Sequence, residues 1–168
     1  MTEPAIGLVM AGGLGTRMRA SNPVPKPLVE VAGVPLLELA LRRLVASGVR
    51  DIRVALRHEA ERLCTFLARL QPTLGGARVQ ALVEEQPLGT IGAAYHLRGE
   101  RATVLVTNGD LLSAIDLGEL LVCHRESQAH LTIATHDEHH RLKLGEVVTA
   151  VDGRVLDYLE KPVKSWRI

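Results

Sequence analysis

The apolar run Ala5–Met10 has the length of a buried strand, and it breaks at once into Gly12, Gly13 and Gly15. Arg17 follows, and Lys26 stands between Pro25 and Pro27, closing the stretch LVMAGGLGTRMRASNPVPKP at residues 8–27. Glycine lets a backbone take unusual dihedrals and approach a ligand closely, because no Cβ intervenes. A strand ending in such a loop offers backbone N–H groups that suit an anion. With two cations beside it, the loop is a candidate polyphosphate site; a surface turn with solvated basic residues is the simpler alternative. Neither common phosphate motif fits. A P-loop needs Gly-Lys-Ser/Thr after a four-residue spacer, which the stretch lacks. A dinucleotide fingerprint needs a third Gly where Met18 stands.

Composition narrows the classes. The 168 residues are 46% hydrophobic, enough for one packed domain. A net charge of +1 implies no polyanion partner, and 2% aromatics leave few stacking platforms for single strands, so a nucleic acid polymer is not expected. Cys64 and Cys123 are far apart and suggest neither a zinc motif nor a disulfide framework. A reduced, cytoplasmic setting is the simplest expectation. No run approaches the length of a membrane span.

Along the chain, Leu28–Val31 reads as a short strand closed by Gly33, and Pro35 suits the first turn of a helix. Leu36, Leu37, Ala40, Leu41, Leu44 and Val45 share one helical face, which Gly48 ends. Asp51–Leu56 alternates as a strand, His58–Leu70 is the next helix, and Ala77–Val83 the next strand. A helix is expected from Thr90 to about Leu97. Ala102–Thr107 is a continuous apolar run, the pattern of a strand covered on both faces. Asp116 can cap a helix over Leu117–Glu126. His130–Thr135 reads as a strand, and the following HDEHH segment as a solvated loop. Gly145–Val151 and Arg154–Leu159 form a hairpin across Asp152-Gly153. Alternating strands and helices predict a layered α/β domain with a mostly parallel sheet. Without repeats or linkers, the whole of 1–168 reads as one domain.

Ligands of such sheets sit outside the carboxyl ends of the strands. The Gly-rich loop, Glu84–Gly89 and Asp110 all follow strands, so they are expected to converge. A carboxylate beside a polyphosphate loop is a natural Mg²⁺ ligand, since that ion commonly uses one or two carboxylates plus phosphate oxygens. Asp110 supplies it; the competing role is a turn cap. Gly89 leaves room for a flat base or ribose. Glu84 or Gln86 could read a base edge: a carboxylate matches the N1–H and N2–H₂ donors of guanine, and an amide suits uracil or thymine.

Five motifs carry a family resemblance: AGGLGTRM at 11–18, PKPL at 25–28, EEQPLGTIGAA at 84–94, NGDLL at 108–112 and EKPV at 160–163. Their content and order resemble the sugar-1-phosphate nucleotidyltransferases, and most of all the guanylyltransferase-like branch. The resemblance implies a three-layer α/β/α Rossmann-like sandwich with a mostly parallel mixed sheet. It implies transfer of a nucleoside monophosphate from a nucleoside triphosphate, GTP before others, to a sugar 1-phosphate. Ala11, Gly12, Gly13, Gly15, Thr16 and Gly109 would hold the nucleotide, with Arg17 and Lys26 on its phosphates. Glu84, with Gln86 nearby, would read the base, and Gly89 would pack beside it. Asp110 would hold Mg²⁺; Arg17, Lys26 and Asp110 would be the catalytic set. Gly145, Glu160 and Lys161 match positions that contact the sugar phosphate.

The sequence also departs from the family pattern. The EKP segment is normally followed by a strand, helices and a second metal-binding carboxylate, whereas this sequence reaches Ile168 soon after Lys161. The resemblance therefore implies a chain short at its C-terminal end. It would be active as a compact member, completed by a homodimer or another chain, or serve as a binding module without turnover.

Overall fold

In chain order the elements are β1 (Ala5–Met10), a 3-10 turn at Lys26–Leu28, the short pair β2 (Glu30–Val31) and β3 (Val34–Pro35), and α1 (Leu36–Ala46). Then come β4 (Asp51–Leu56), α2 (Ala60–Leu70), a 3-10 turn at Gln71–Thr73, β5 (Arg78–Val83), a 3-10 segment at Gly92–Leu97, β6 (Thr103–Asn108) and α3 (Leu117–Glu126). The computed structural model describes residues 4–13, 24–86, 88–89 and 91–168. Contacts divide the chain into two compact units, Met1–Ser127 and Gln128–Ile168.

In the first unit, β5, β4, β1 and β6 lie in that order in one four-stranded sheet. Every pairing is parallel, with Val9 opposite both Val54 and Thr107. Because side chains alternate across a strand, β1 serves two faces. Val9 and Ala11 join Ile52, Val54 and Leu56 under the buried stripes of all three helices, including Leu41, Leu44, Leu63, Phe66 and Leu121. Ile6 and Leu8 point the other way and pack with Ala55, Ala93 and Leu97 of the Gly92–Leu97 segment. The result is the layering implied by the resemblance, with the three described α-helices on one face and the Gly92–Leu97 segment on the other, around a four-stranded sheet that is wholly parallel.

The helices follow their sequence signals closely. Leu37, Ala40, Leu41 and Leu44 form the buried stripe of α1, and Pro35 sits just before its first turn. The Asp116 carboxylate accepts from the N–H groups of Gly118 at 2.7 Å and Glu119 at 3.0 Å, so it caps α3 as its position predicts. Three expectations change. Gly92–Leu97 is 3-10 rather than α, carried by i→i+3 bonds such as Ala94 N–H to Ile91 C=O at 2.9 Å; a short stretch containing Gly92 favours this tighter form. Leu28–Val31 is divided between the 3-10 turn and β2, which folds back on β3 through Ala32 and Gly33, both at positive φ. On β6 only Leu105 is buried and Val106 is 39% exposed, so its apolar run is not covered on both faces. This strand is the outermost of the four and pairs on one side with β1 alone.

The second unit contains β7 (Asp137–Arg141), β8 (Glu146–Thr149), β9 (Val155–Leu159) and β10 (Val163–Arg167). The expected hairpin is present as β8–β9, and its turn places Gly153 at φ +84°. Residues 130–135 belong to no strand, and Leu131 is 72% exposed; apolar alternation chooses a face but supplies no ladder partner. The HDEHH segment is not a loop. Its residues 137–140, together with Arg141, pair antiparallel with β10, and polar cross-strand pairs accompany the ladder: Arg167 donates to Asp137 at 2.9 Å, and the His139 Nδ1–Ser165 Oγ distance is 2.7 Å. No group of three or more metal-binding side chains occurs among the described residues, and no described helix is long and apolar enough to cross a membrane.

Leu41 is fully buried, whereas Val122 on α3 is half exposed. Leu41→Ala is expected to cost about 2–5 kcal/mol in urea unfolding, and Val122→Ala less than about 0.5 kcal/mol. Equal effects would show that the helix stripe is not the core.

Candidate functional site

Parallel strands end on one edge, and backbone bonds carry the ladder a residue further there. Ala11 N–H donates to Ala55 C=O and Gly109 N–H to Met10 C=O, both at 2.9 Å; Glu84 N–H donates to Leu56 C=O at 2.8 Å. The chain leaving β1, β4, β5 and β6 is thereby fixed side by side. Above these ends lies a cavity of about 350 Å³. Ala11, Gly12, Gly13, Lys26, Glu84, Gly89 and Asp110 line it, together with Met10, Pro27, Ala55, Arg57, Leu88 and Asn108.

Seven of the expected site residues therefore meet in one place. The glycines serve differently from the reading of unusual dihedrals. Gly12 and Gly13 lie outside the left-handed region, and among the described glycines of the cavity only Gly89, at φ +80°, occupies it. A Cβ on Gly12 would stand 3.4 Å from Arg57 Cβ and 3.6 Å from Glu84 Oε2, and one on Gly13 would project into open space. Their missing side chains leave room above the sheet edge.

Gly109 plays a packing role. A Cβ there would lie 3.1 Å from Ala11 Cβ and 3.4 Å from Leu37 Cδ1, so its bareness lets the end of β6 close against β1 and α1. Gln86 is exposed and does not line the cavity. Gly15, Thr16 and Arg17 lie outside the described residues.

Charge in the cavity is balanced. Lys26 Nζ pairs with Asp110 Oδ2 at 2.5 Å, with both side chains partly exposed. Glu84 Oε1 is buried without a hydrogen-bond partner among the described residues. A buried carboxylate oxygen in that condition costs free energy until a donor reaches it. Arg57 and Asn108 were not singled out from the sequence. Both stand at strand ends, the same signal that identified Asp110.

In the second unit, a Cβ on Gly145 would collide with the Tyr158 ring, so Gly145 is the seat of that phenol. Tyr158 Oη donates to Glu160 Oε2 at 2.7 Å, and Lys161, at φ +45°, keeps Nζ 3.5 Å from Glu160 Oε1. Gly145, Glu160 and Lys161 are thus gathered around Tyr158, another residue the sequence analysis passed over.

The Glu160 carboxylate holds the Tyr158 phenol above its ordinary range, because only the neutral phenol can donate to it. The bond persists at neutral pH and is lost as pH rises through the raised phenol pKa. In a Tyr95→Phe background, Glu160→Gln is expected to move the Tyr158 titration down toward its ordinary value in ultraviolet difference spectra. An unmoved curve would refute the contact.

Known proteins place these observations. A model of the nucleotidyl transferase family matches residues 6–166. The mannose-1-phosphate guanylyltransferase of Mycobacterium tuberculosis is 32% identical over 164 residues, covering 95% of this chain and 45% of that protein. The mannose-1-phosphate guanyltransferase of Gibberella zeae is 34% identical over 165 residues, with 94% and 45% coverage. The chain thus spans 45% of the length of these relatives. Crystalline HddC from Yersinia pseudotuberculosis, complexed with GMP-PN, shares the fold at a TM-score of 0.64 and 23% identity, over 97% of this chain and 72% of that one. The matched span takes in the Gly-rich loop, the cavity and the EKP segment alike: the chain belongs to the nucleotidyl transferase family, among the sugar-1-phosphate nucleotidyltransferases that its motifs resemble.

Proposed function

We propose that this chain transfers a nucleoside monophosphate, guanylyl before others, from a nucleoside triphosphate to a sugar 1-phosphate, releasing pyrophosphate. The observation that carries the reading is the meeting of Gly12, Gly13, Lys26, Glu84, Gly89 and Asp110 around one cavity at the carboxyl edge of a parallel sheet. The guanylyl preference draws on the Glu84 carboxylate, whose buried oxygen lacks a donor among the described residues, and on the names of the relatives.

A sugar 1-phosphate oxygen is already an anionic nucleophile, so attack on the α-phosphorus needs no general base and no covalent enzyme intermediate. As the new P–O bond forms, the bond to the β-phosphate oxygen breaks and pyrophosphate takes the electron pair. The protein's work is to align two mutually repelling anions and to offset their charge. Lys26 would restrain both anions, and Arg17 would balance charge on the α- and leaving phosphates.

Asp110 is the residue to hold Mg²⁺. Asp110, one of two carboxylates lining the cavity, would fit that ion, which commonly binds through one or two carboxylates together with substrate phosphates. In this structure one oxygen of Asp110 is engaged by Lys26, so metal binding would compete with or release that pair. When bound, Mg²⁺ supplies charge neutralisation on the phosphates.

Pyrophosphate release with GTP and a panel of sugar 1-phosphates tests the proposal. Asp110→Ala and Arg17→Ala are each expected to lower turnover by about 10²-fold or more. Wild-type rates in folded Arg17→Ala would remove that residue from the mechanism. Saturable nucleotide binding without any turnover by the unaltered chain would instead favour the binding-module reading.

A further inference from the structure

Among the described residues, the cavity holds one cation that the nucleotidyl-transfer reading leaves without a task. Arg57 follows β4, is half-buried and lines the cavity, yet its side chain has no hydrogen bond or ion pair with the described residues. Its place in the sheet says what it can reach. The order β5-β4-β1-β6 puts Arg57 one strand from Glu84 and two from Asp110. At the usual spacing between neighbouring strands, these steps are about 5 Å and about 10 Å. Arg57 Cβ and Glu84 Oε2 both stand within 4 Å of the point where a Cβ on Gly12 would lie. The stem of Arg57 therefore rises from the Glu84 side of the cavity, on the far side of β1 from Asp110.

We propose that Arg57 reads a guanine base, donating to O6 and N7 while Glu84 accepts from N1–H and N2–H₂. This assignment rests on the nucleotide-binding reading above and deepens it. Around the guanine rim the atoms run N2–H₂, N1–H, O6, N7, so a carboxylate facing the first two leaves the acceptors for a neighbouring donor. Arginine is the side chain whose fork matches O6 and N7 together. Adenine presents an amine in place of O6, leaving one branch of that fork facing another donor. The pair would select guanine by attraction at both groups and by a donor–donor clash against adenine.

The test is titration of the 168-residue chain with GTP, ITP, ATP and 7-deazaguanosine triphosphate, for the unaltered protein and for Arg57→Met, which removes every donor. The expected result is a rise of about tenfold or more in the dissociation constants for GTP and ITP in Arg57→Met, with ATP within about twofold. Loss of N7 in the 7-deaza nucleotide should weaken binding to the unaltered chain and leave the variant indifferent. Equal loss for all nucleotides in Arg57→Met would mean a phosphate contact and overturn the assignment, leaving the nucleotide site intact. Should the variant fail to fold, the unaltered chain still decides: equal affinity for GTP and its 7-deaza analogue overturns the forked contact. No saturable binding of any nucleotide by the unaltered chain would overturn the underlying reading as well.

Discussion

The three backbone hydrogen bonds just beyond the strands, from Ala11 to Ala55, Gly109 to Met10 and Glu84 to Leu56, bind the carboxyl edge of the sheet into one surface. Parallel pairing makes such a surface possible, because all four strands end on the same side. Neighbouring strands lie about 5 Å apart, so residues separated by tens of positions in sequence become close neighbours. Gly12, Arg57, Glu84 and Asp110 are each the first or second residue after a strand end. The cavity follows from the sheet, and the sheet from burial of β1 on both faces.

Space and charge above that edge suit an anionic, partly planar ligand. Gly12 and Gly13 contribute by lacking side chains, and Gly109 by letting the strand ends pack closely beneath. Lys26 and Asp110 are paired already, which spares the lysine the cost of standing as an uncompensated charge. Glu84 is the tense point, a carboxylate with one oxygen out of reach of water and of any described donor. Buried polar atoms in that state mark places where a ligand completes the hydrogen bonding.

How legible this was from the sequence depended on whether the signal was local. The Leu37–Leu44 stripe, the Asp116 cap and the Asp152-Gly153 turn depend on neighbours a few residues away, and each formed as its pattern requires. The β7–β10 pairing escaped, because Asp137, His139, Ser165 and Arg167 hold it through polar contacts that leave no apolar period to read. Residues 130–135 show the converse: Leu131 and Ile133 alternate correctly, yet the segment belongs to no strand. Asp110, Glu84 and Gly89 were singled out through their motifs and all three line the cavity, while Arg57 and Tyr158 had no motif to announce them.

The sequence by itself determined the α/β class, the helix stripes and caps, and the order of the glycine, PKP, PLGT, NGD and EKP motifs. These are local properties of dihedral freedom, periodicity and residue chemistry. Only the tertiary structure decided which side chains share a cavity, that Gly109 packs rather than lines, that Glu84 keeps an oxygen with no partner among the described residues and that Arg57 stands one strand away from it. Those outcomes depend on strand order, and strand order is chosen by long-range pairing that no short window of sequence encodes.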